Sequence, residues 1–528
     1  MKMILKKLNI KSALLGLTSV ALLSAAGCSS FLDKEPTFIT KDNYYANENE
    51  VNVGLTGIYS VLGNEDVYGS SLPYHLSMSD EAVWQRNTTL TGPEVYVYDS
   101  SNQLVGNLWK YLYEGIERAN VFLAKVEEAK MDSTKKAIAI GEARFLRAYY
   151  HFVLASNFGE VPLKKQPTYS VNDVNVPKAP MKEMYEFIAS EMEAAEAVVQ
   201  PISVYGHAGR VTKSAVRGIL ARVYLKMAGA PLNGGRPYYE KAAEWAGKLV
   251  NPQGADYKHK LVADYKQVFK DMAADKYNID ESIWEVEFYG NRVGDFEAGR
   301  HGNIGGIQFT NESGPDSLGY SYGFLLATKK LYDNYGANDT DQRRDWNIAP
   351  YVYNNTTGVA TARPEVDNRF SAKFRRNYEV VKPRHKNYTP INFPLLRFSD
   401  VLLMYAEAKN ELGEVGEAGL KVKMVRDRAH AIDSTSTIGA DQVKMRQFIK
   451  NERYRELAFE GLRKFDLIRW GEFVNTMQEL GDNINTTYPA GRKYAAFGPK
   501  NVSGRHVTLP IPLGELSLNG LIKQNVGW

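Results

Sequence analysis

The feature that most constrains this chain is a change of texture along it. Helical periodicity governs the first 250 residues, lapses over 251–392 and returns at Ser399. Over 107–129, Leu108, Leu112, Ile116, Ala119, Phe122 and Val126 recur three or four residues apart, the apolar face of a helix. A second helix is expected with Ser133 as its cap, Ala137, Phe145, Leu146, Tyr149 and Val153 inside, and an end near Gly159 and Pro162. Met181, Tyr185, Ile188, Met192, Ala195 and Val199 mark a third, and Thr212 opens a fourth. A fifth follows the turn at 229–237 through Ala242, Trp245 and Leu249. Glycine, asparagine and aromatic residues dominate 251–392, where 282–288 reads as a strand. Further helices are expected over 401–412, 417–429 and 442–459, with a last one up to Trp470. The stretch to Trp528 is expected to be irregular because of Pro510 and Pro512.

Some helices come in pairs with small residues at the seam. Tyr405-Ala406 followed by Ala418, Val422 and Val425 resembles the tetratricopeptide pattern, in which small side chains let antiparallel helices approach closely. Leu220-Ala221 and Tyr224-Leu225 give a looser second match. The expected fold is therefore mostly α, a tetratricopeptide-like helical-repeat scaffold with a loop-rich, aromatic-rich insert and a few short strands. Stacked helix pairs bury a continuous core and display loops on one side.

The start of the chain reads as an export leader: Lys2, Lys6, Lys7 and Lys11, an apolar run from Ala13 to Ala26, then Gly27 and Cys28. Cys28 is the only cysteine of 528 residues, so it cannot be half of an internal disulfide. Leu22-Leu23-Ser24-Ala25-Ala26-Gly27-Cys28 looks like a bacterial lipobox, with Ala25 where leucine is usual. In that reading Cys28 becomes the first mature residue and carries the acyl lipid. The alternative is an ordinary signal peptide with an incidental cysteine. The apolar run is too short for a permanent span, which takes about 20 residues.

The leader also carries the charge excess. The whole chain has 65 basic and 61 acidic residues, and all four leader lysines precede Cys28, leaving 61 of each in the mature part. A net charge of zero gives no whole-molecule argument for nucleic acid or anionic membrane surfaces as partners. At this length two lobes or one large repeat scaffold are expected.

Three patterns invite catalytic readings. Glu452, Glu456 and Glu460 stand at i, i+4 and i+8 among Arg453, Arg463, Asp466 and Arg469. Paired carboxylates run glycoside hydrolysis, but carboxylates interleaved with arginines stay ionised and make poor general acids. Structural ion pairs are the favoured reading. Gly319-Tyr320-Ser321-Tyr322-Gly323 matches the nucleophile-elbow pattern, yet turn residues precede it where an elbow needs a strand. His385, His430 and His506 lie downstream. The eight histidines form no metal motif and no stretch has EF-hand spacing, so no cofactor beyond the lipid is expected; a structural calcium held by Asn, Asp and backbone oxygens stays open.

A set of short motifs spread along the chain carries a resemblance to a known family. After Cys28 comes Phe31-Leu32-Asp33-Lys34-Glu35-Pro36, then Gly54-Leu55-Thr56-Gly57-Ile58-Tyr59 and Gly141-Glu142-Ala143-Arg144-Phe145-Leu146-Arg147-Ala148-Tyr149-Tyr150. Later come Leu396-Arg397-Phe398-Ser399-Asp400, Glu452-Arg453-Tyr454-Arg455-Glu456-Leu457-Ala458-Phe459-Glu460-Gly461, Phe465-Asp466-Leu467-Ile468-Arg469-Trp470 and Leu509-Pro510-Ile511-Pro512. Their number and order resemble SusD/RagB-type nutrient-uptake lipoproteins of Bacteroidetes. That resemblance implies a non-catalytic cell-surface glycan binder, lipid-anchored in the outer membrane and facing outside. It also implies a partner, a SusC-type TonB-dependent transporter that takes up the ligand. The implied division is a leader over 1–27, an N-terminal helical region over 28–250, a loop-rich candidate binding insert over 251–392, and a C-terminal region over 393–528. A surface glycoside hydrolase and an uptake accessory for a non-glycan nutrient such as peptides are the alternatives.

A sugar ring shows an apolar C–H face and a fringe of hydroxyls, so it needs a flat aromatic surface with polar groups beside it. Two loop regions offer this. One is 80–98, with Trp84, Arg86, Asn87, Tyr96 and Tyr98. The other is 289–322, with Tyr289, Asn291, Arg292, Phe296, His301, Phe309, Tyr320 and Tyr322. The candidate ligand-binding set is Trp84, Arg86, Asn87, Tyr289, Phe296, Tyr320 and Tyr322. The plainer alternative for each is that it pins its own loop.

Overall fold

The computed structural model describes residues 45–254, 256–290, 297–336, 340–432 and 439–528, with backbone alone for 171 and 172. Cys28 and the lipobox, and Asn291, Arg292 and Phe296, lie outside the described residues.

The N-terminal helices form where capping and apolar spacing coincide. Helix α1, Glu48–Tyr59, starts at Asn47, whose side chain accepts from the Glu50 amide. Helix α2, Gln103–Lys125, starts at Asn102, which accepts from the amides of Leu104 and Val105. These side chains satisfy amide groups that a helix start leaves unpaired. Helix α3, Ser133–Phe158, is capped by Asp132 rather than by Ser133, because the Asp132 carboxylate reaches the Lys135 amide. Helices α4, Met181–Val198, α5, Lys213–Ala228, and α6, Arg236–Val250, follow; Thr212 caps α5 as expected.

Each of α2 to α6 packs on its neighbour in sequence, and the stack then continues into C-terminal helices. Within the insert runs a short helix α7, Tyr265–Ala273, that the aperiodic reading of 251–392 missed. After it, α8, Phe398–Glu411, packs on α6, α9, Val415–Arg428, packs on α8, and α10, Gln442–Glu456, packs on both. The seams hold small side chains: Ala221, Ala242, Ala246, Ala406 and Ala418 are all fully buried. Gly115 of α2 stands where a methyl group would meet the Tyr150 ring of α3 at 2.6 Å, so the two helix backbones approach closely only with glycine there.

The far end of the chain corrects another expectation. After α11, Arg463–Arg469, comes a full helix α12, Phe473–Thr487, in a stretch expected to be irregular. Phe473, Met477, Leu480 and Ile484 are its buried face, and the prolines that argued for irregularity lie well beyond its end.

Among the described residues are three two-stranded ladders, two of which join distant parts. Strand β1, Ala82–Trp84, pairs antiparallel with β3, Leu325–Ala327. Strand β2, Ser282–Val286, the strand expected near 282–288, pairs with β6, Phe393–Arg397. Strands β4, Tyr351–Tyr353, and β5, Ala360–Ala362, form a hairpin. Trp284 of β2 is fully buried with its ring centroid 4.7 Å from Tyr149 and 5.2 Å from Phe145 of α3. Burying such a side chain contributes on the order of 2–3 kcal/mol and fixes the insert to the helical stack. A second apolar core gathers Tyr74, Trp84, Ile304, Leu325, Phe459 and Phe473 from three separated segments.

Candidate functional site

Antiparallel register of β1 and β3 brings the two predicted loop regions together. Trp84 faces Leu325 across the ladder, and the Gln85 amide donates to the Phe324 carbonyl at 2.8 Å. Upstream, Ser321 exchanges both backbone hydrogen bonds with Phe309, at 2.8 and 2.9 Å. The segment from Tyr320 to Phe324 is therefore extended, and alternate residues point the same way. Tyr320, Tyr322 and Phe324 share one face and are half-buried, while Ser321 is turned inward.

The rings form a continuous row. Tyr320 meets Tyr322 edge to face at 5.0 Å, and Tyr322 stacks on Phe324 at 5.0 Å with planes 14° apart. Phe324 stacks on Trp84 at 5.0 Å and 28°, and Trp84 meets His75 at 5.1 Å. Cations stand beside the rings: Arg86 at 4.7 Å from the Phe324 centroid, Lys386 at 5.0 Å from Tyr320 and Arg300 at 5.9 Å from Tyr322.

The backbone under the row is clamped. Asn303 Nδ2 donates to the carbonyls of Tyr320 and Lys386, at 3.0 and 3.2 Å. Arg376 Nη1 donates to the same two carbonyls, at 2.6 and 2.9 Å, and its Nε donates to Glu379. Gly319 has φ +71°, and a Cβ there would lie 2.9 Å from Arg376. Tyr322 Oη donates to Asn387 Oδ1 at 3.2 Å. These partners hold the row before any ligand arrives, which lowers the ordering cost of binding.

Sequence reasoning placed the members of this row unevenly. Tyr320, Tyr322, Trp84 and Arg86 come together. Trp84 belongs to a strand rather than a loop, and at 8% exposure it supports the row from beneath more than it faces solvent. Asn87 is exposed and lines, with Trp84, Arg86, Leu90, Met477 and Phe497, a cleft of about 190 Å³ at one end of the row. A second cleft of about 170 Å³, lined by Tyr320, Glu312, Arg384, His385 and Lys386, lies at the other. Tyr289 stands apart, 65% exposed, with its amide donating to Glu297, and joins none of these rings. Tyr96, by contrast, is buried against Phe473 and His506. Phe324 was missed, although its position two residues after Tyr322 continues the same alternation.

The catalytic patterns resolve into structure. Ser321 Oγ donates to the Asn303 carbonyl at 3.3 Å, between two extended neighbours and not at a strand-to-helix turn. Among the described residues no group of histidines, cysteines and carboxylates is arranged to hold a metal, and no helix is long and apolar enough to cross a membrane.

Glu452, Glu456 and Glu460 sit at the centre of a buried ion network. Helix α10 stops at Glu456, and Phe459 takes a left-handed φ of +65°, so Glu460 is off the helix instead of one turn along its face. All three still converge on cations. Arg343 Nη1 donates to Glu452 at 2.7 Å and Glu456 at 2.9 Å, while its Nη2 reaches Asp341 at 2.6 Å. Arg397 donates to Glu456 at 3.0 Å, Glu460 at 2.6 Å and Glu281 at 2.8 Å. Arg428 adds Glu456 at 2.6 Å and Glu281 at 2.8 Å. Burial alone raises the Glu452 carboxyl, but the charges of Arg343, Arg455 and Arg426 outweigh it and bring it to about 2. Glu456 is lowered in the same way, burial being overcome by Arg428, Arg397 and Arg343. Neither carboxylate has a proton to give near neutrality, and none of the three is open to solvent.

Comparison with known proteins agrees with this architecture. A family model described as the SusD family matches residues 280–528, and one described as starch-binding associating with outer membrane matches 30–225. A SusD-like protein of Formosa agariphila is 25% identical over 548 residues, covering 96% of each chain. The starch-binding protein SusD of Bacteroides thetaiotaomicron is 24% identical, covering 90% of each. A crystal structure of a SusD homolog from Bacteroides thetaiotaomicron superposes with a TM-score of 0.83 at 26% identity, over 93% of this chain and 99% of that one. Two family models that match residues 30–225 and 280–528, relatives aligned over nearly their whole length and a shared fold together establish that this chain belongs to the SusD-like family.

Proposed function

We propose that this protein is a non-catalytic glycan-binding lipoprotein of the outer membrane that delivers oligosaccharide to a SusC-type transporter. The observation that carries the reading is the preorganised row of Tyr320, Tyr322 and Phe324 on Trp84, flanked by a mostly apolar cleft edged by Arg86 and Asn87 and by a polar cleft beside Tyr320. Rings supply apolar contact to sugar C–H faces, and Arg86, Asn87, Asn387 and Lys386 lie alongside for hydroxyls. Support comes also from relatives named for starch binding and from the outer-membrane association in the family description.

In this reading Cys28 carries the lipid, and the 251–392 region is the ligand face, completed by residues 75–87 from the N-terminal region. A tether and a barrel partner hold that face near the pore, raising effective concentration without new contacts. Affinity electrophoresis over a polysaccharide panel tests the binding. Retardation by at least one glycan, without release of reducing ends, is expected; sustained release of reducing ends by the parent chain would point to a hydrolase instead. Co-purification from membranes with a barrel protein tests the partner, and mass spectrometry of the mature N-terminus tests lipidation of Cys28.

A further inference from the structure

The polar cleft at the Tyr320 end of the row is walled by charges that already have partners. Lys386 pairs with Glu312, and Asp316 pairs with Lys382 at 2.6 Å. Arg384 lies 3.2 Å from the Glu379 carboxylate and donates to the Asp316 carbonyl. Asn311 donates to the Asn355 carbonyl at 2.7 Å and accepts from the Ser313 amide at 3.0 Å. Among the described residues, two side-chain groups of this wall make no hydrogen bond: Tyr320 Oη and His385 Nε2.

The backbone fixes the chemistry of that imidazole. The amides of Asn387 and Tyr388 both donate to His385 Nδ1, each at 3.1 Å. A backbone amide can only donate, so Nδ1 keeps its lone pair and the ring proton sits on Nε2. The ring therefore offers one donor, on the edge turned away from its own loop. Burial first, and then the charge of Arg376, push the imidazole below its ordinary value against the pull of Glu297, which favours the neutral ring. Its position is fixed as well. Arg376 Nη2 donates to the His385 carbonyl at 2.8 Å, and Nη1 donates to the Lys386 carbonyl at 2.9 Å. Asn387 Oδ1 accepts from Tyr322 Oη at 3.2 Å, so the loop that carries His385 is bonded to the aromatic row itself.

We infer that His385 is a specificity-determining residue of this site, its Nε2–H donating to an oxygen of an uncharged sugar that stands against Tyr320. The inference rests on the glycan-binding reading above and names the contact that selects the ligand there. A group that can only donate has nothing to offer an ammonium or amide N–H, so the sugar must present an oxygen at this point. Tyr320 Oη, a donor or an acceptor as required, serves a neighbouring hydroxyl. The wall holds no unpaired countercharge among the described residues, so an ionised substituent entering the cleft would lose hydration without gaining a partner.

The test uses His385→Asn. Asparagine places a carbonyl oxygen near the position of Nδ1, where it accepts from amides a few residues on, and it deletes the Nε2–H. Calorimetry of the full mature chain is run with laminarin, soluble starch, arabinoxylan and polygalacturonate. At least one of the three neutral polymers should bind more tightly than polygalacturonate, and His385→Asn should weaken that binding by ~tenfold with an unchanged melting temperature. Nitrogen-15 spectra of the histidine-labelled chain at about pH 7 give a second readout. The His385 signals, assigned by their absence from His385→Asn, should show a ring protonated at Nε2 alone, with that signal shifted by the bound polymer. Unchanged binding in His385→Asn, a ring protonated at Nδ1, or tightest binding of polygalacturonate overturns the inference while leaving glycan binding intact. Weaker binding that comes with a lowered melting temperature assigns His385 to loop support and overturns it too. No binding of any of the four polymers overturns both readings together.

Discussion

The Trp84 indole stacks on the Phe324 ring at 5.0 Å between centroids, and this one contact joins two segments far apart in sequence. It depends on the β1–β3 ladder, in which Trp84 faces Leu325. Trp84 is therefore part of both the second core and the candidate site, and a substitution there should show both roles.

Trp84→Ala should cost about 3–5 kcal/mol of stability, the range for emptying a large buried aromatic site, and should weaken glycan binding as well. Tyr320→Ala, at a half-buried position, should leave the denaturant midpoint nearly unchanged while weakening binding by ~tenfold. Urea titration beside affinity electrophoresis separates the two; a Tyr320→Ala variant that binds normally would remove Tyr320 from the site.

Glu456→Gln leaves Arg397, Arg343 and Arg428 short of a charge they now share. Breaking a buried network by removing one partner costs about 3–5 kcal/mol, so chemical denaturation should show a loss of that size. The pH dependence has a fixed sign. Glu452 and Glu456 have folded values below the unfolded carboxylate value, so their contribution is present above about pH 4.5 and lost as the pH falls toward 2. A melting temperature that holds steady from pH 5 to about pH 2 would contradict this.

Glu81 gives the opposite dependence. Burial first, and the neighbouring Asp80 charge next, push its carboxyl up to about 8. A folded value above the unfolded one means stability is greatest below about pH 4.5 and declines as the pH rises through 8. Glu81→Gln keeps an oxygen for the Phe459 amide and removes the titration. Its melting temperature relative to the parent chain should rise between pH 5 and pH 9. A difference that stays flat over that interval counts against a proton held on Glu81.

Gly319→Ala should disturb the row through its backbone. A left-handed residue with a side chain costs about 1–2 kcal/mol, and the methyl group would meet Arg376 under Tyr320. Binding should fall more than stability does. Ser321→Ala, by contrast, removes only a weak bond to the Asn303 carbonyl and should leave binding within about twofold.

Much of this architecture was legible in the sequence because helices announce themselves locally. The apolar spacing of α2 to α6 and the seam alanines of α8 and α9 predict what the structure contains. Helix α12 was equally legible, with Phe473, Met477, Leu480 and Ile484 at helical spacing, but Pro510 and Pro512 lent an irregular character to residues they do not touch. Tyr320 and Tyr322 could be singled out as aromatics flanked by glycine. Their neighbours could not, because strand pairing between β1 and β3 spans most of the chain and leaves no local trace. The same holds for the carboxylates. Arginines beside Glu452 and Glu456 in sequence predicted ion pairs, whereas Arg343 and Arg397, which bind them most centrally, come from the insert and its edge.

The central claim is that the row from Tyr320 to Trp84 binds glycan. Isothermal titration of the mature chain and of a Tyr320→Ala/Tyr322→Ala double variant, with the polysaccharide that the parent chain retains, tests it most directly. The account predicts saturable binding by the parent chain and at least a tenfold loss in the double variant, with an unchanged melting temperature. Equal affinity in the two proteins would contradict it.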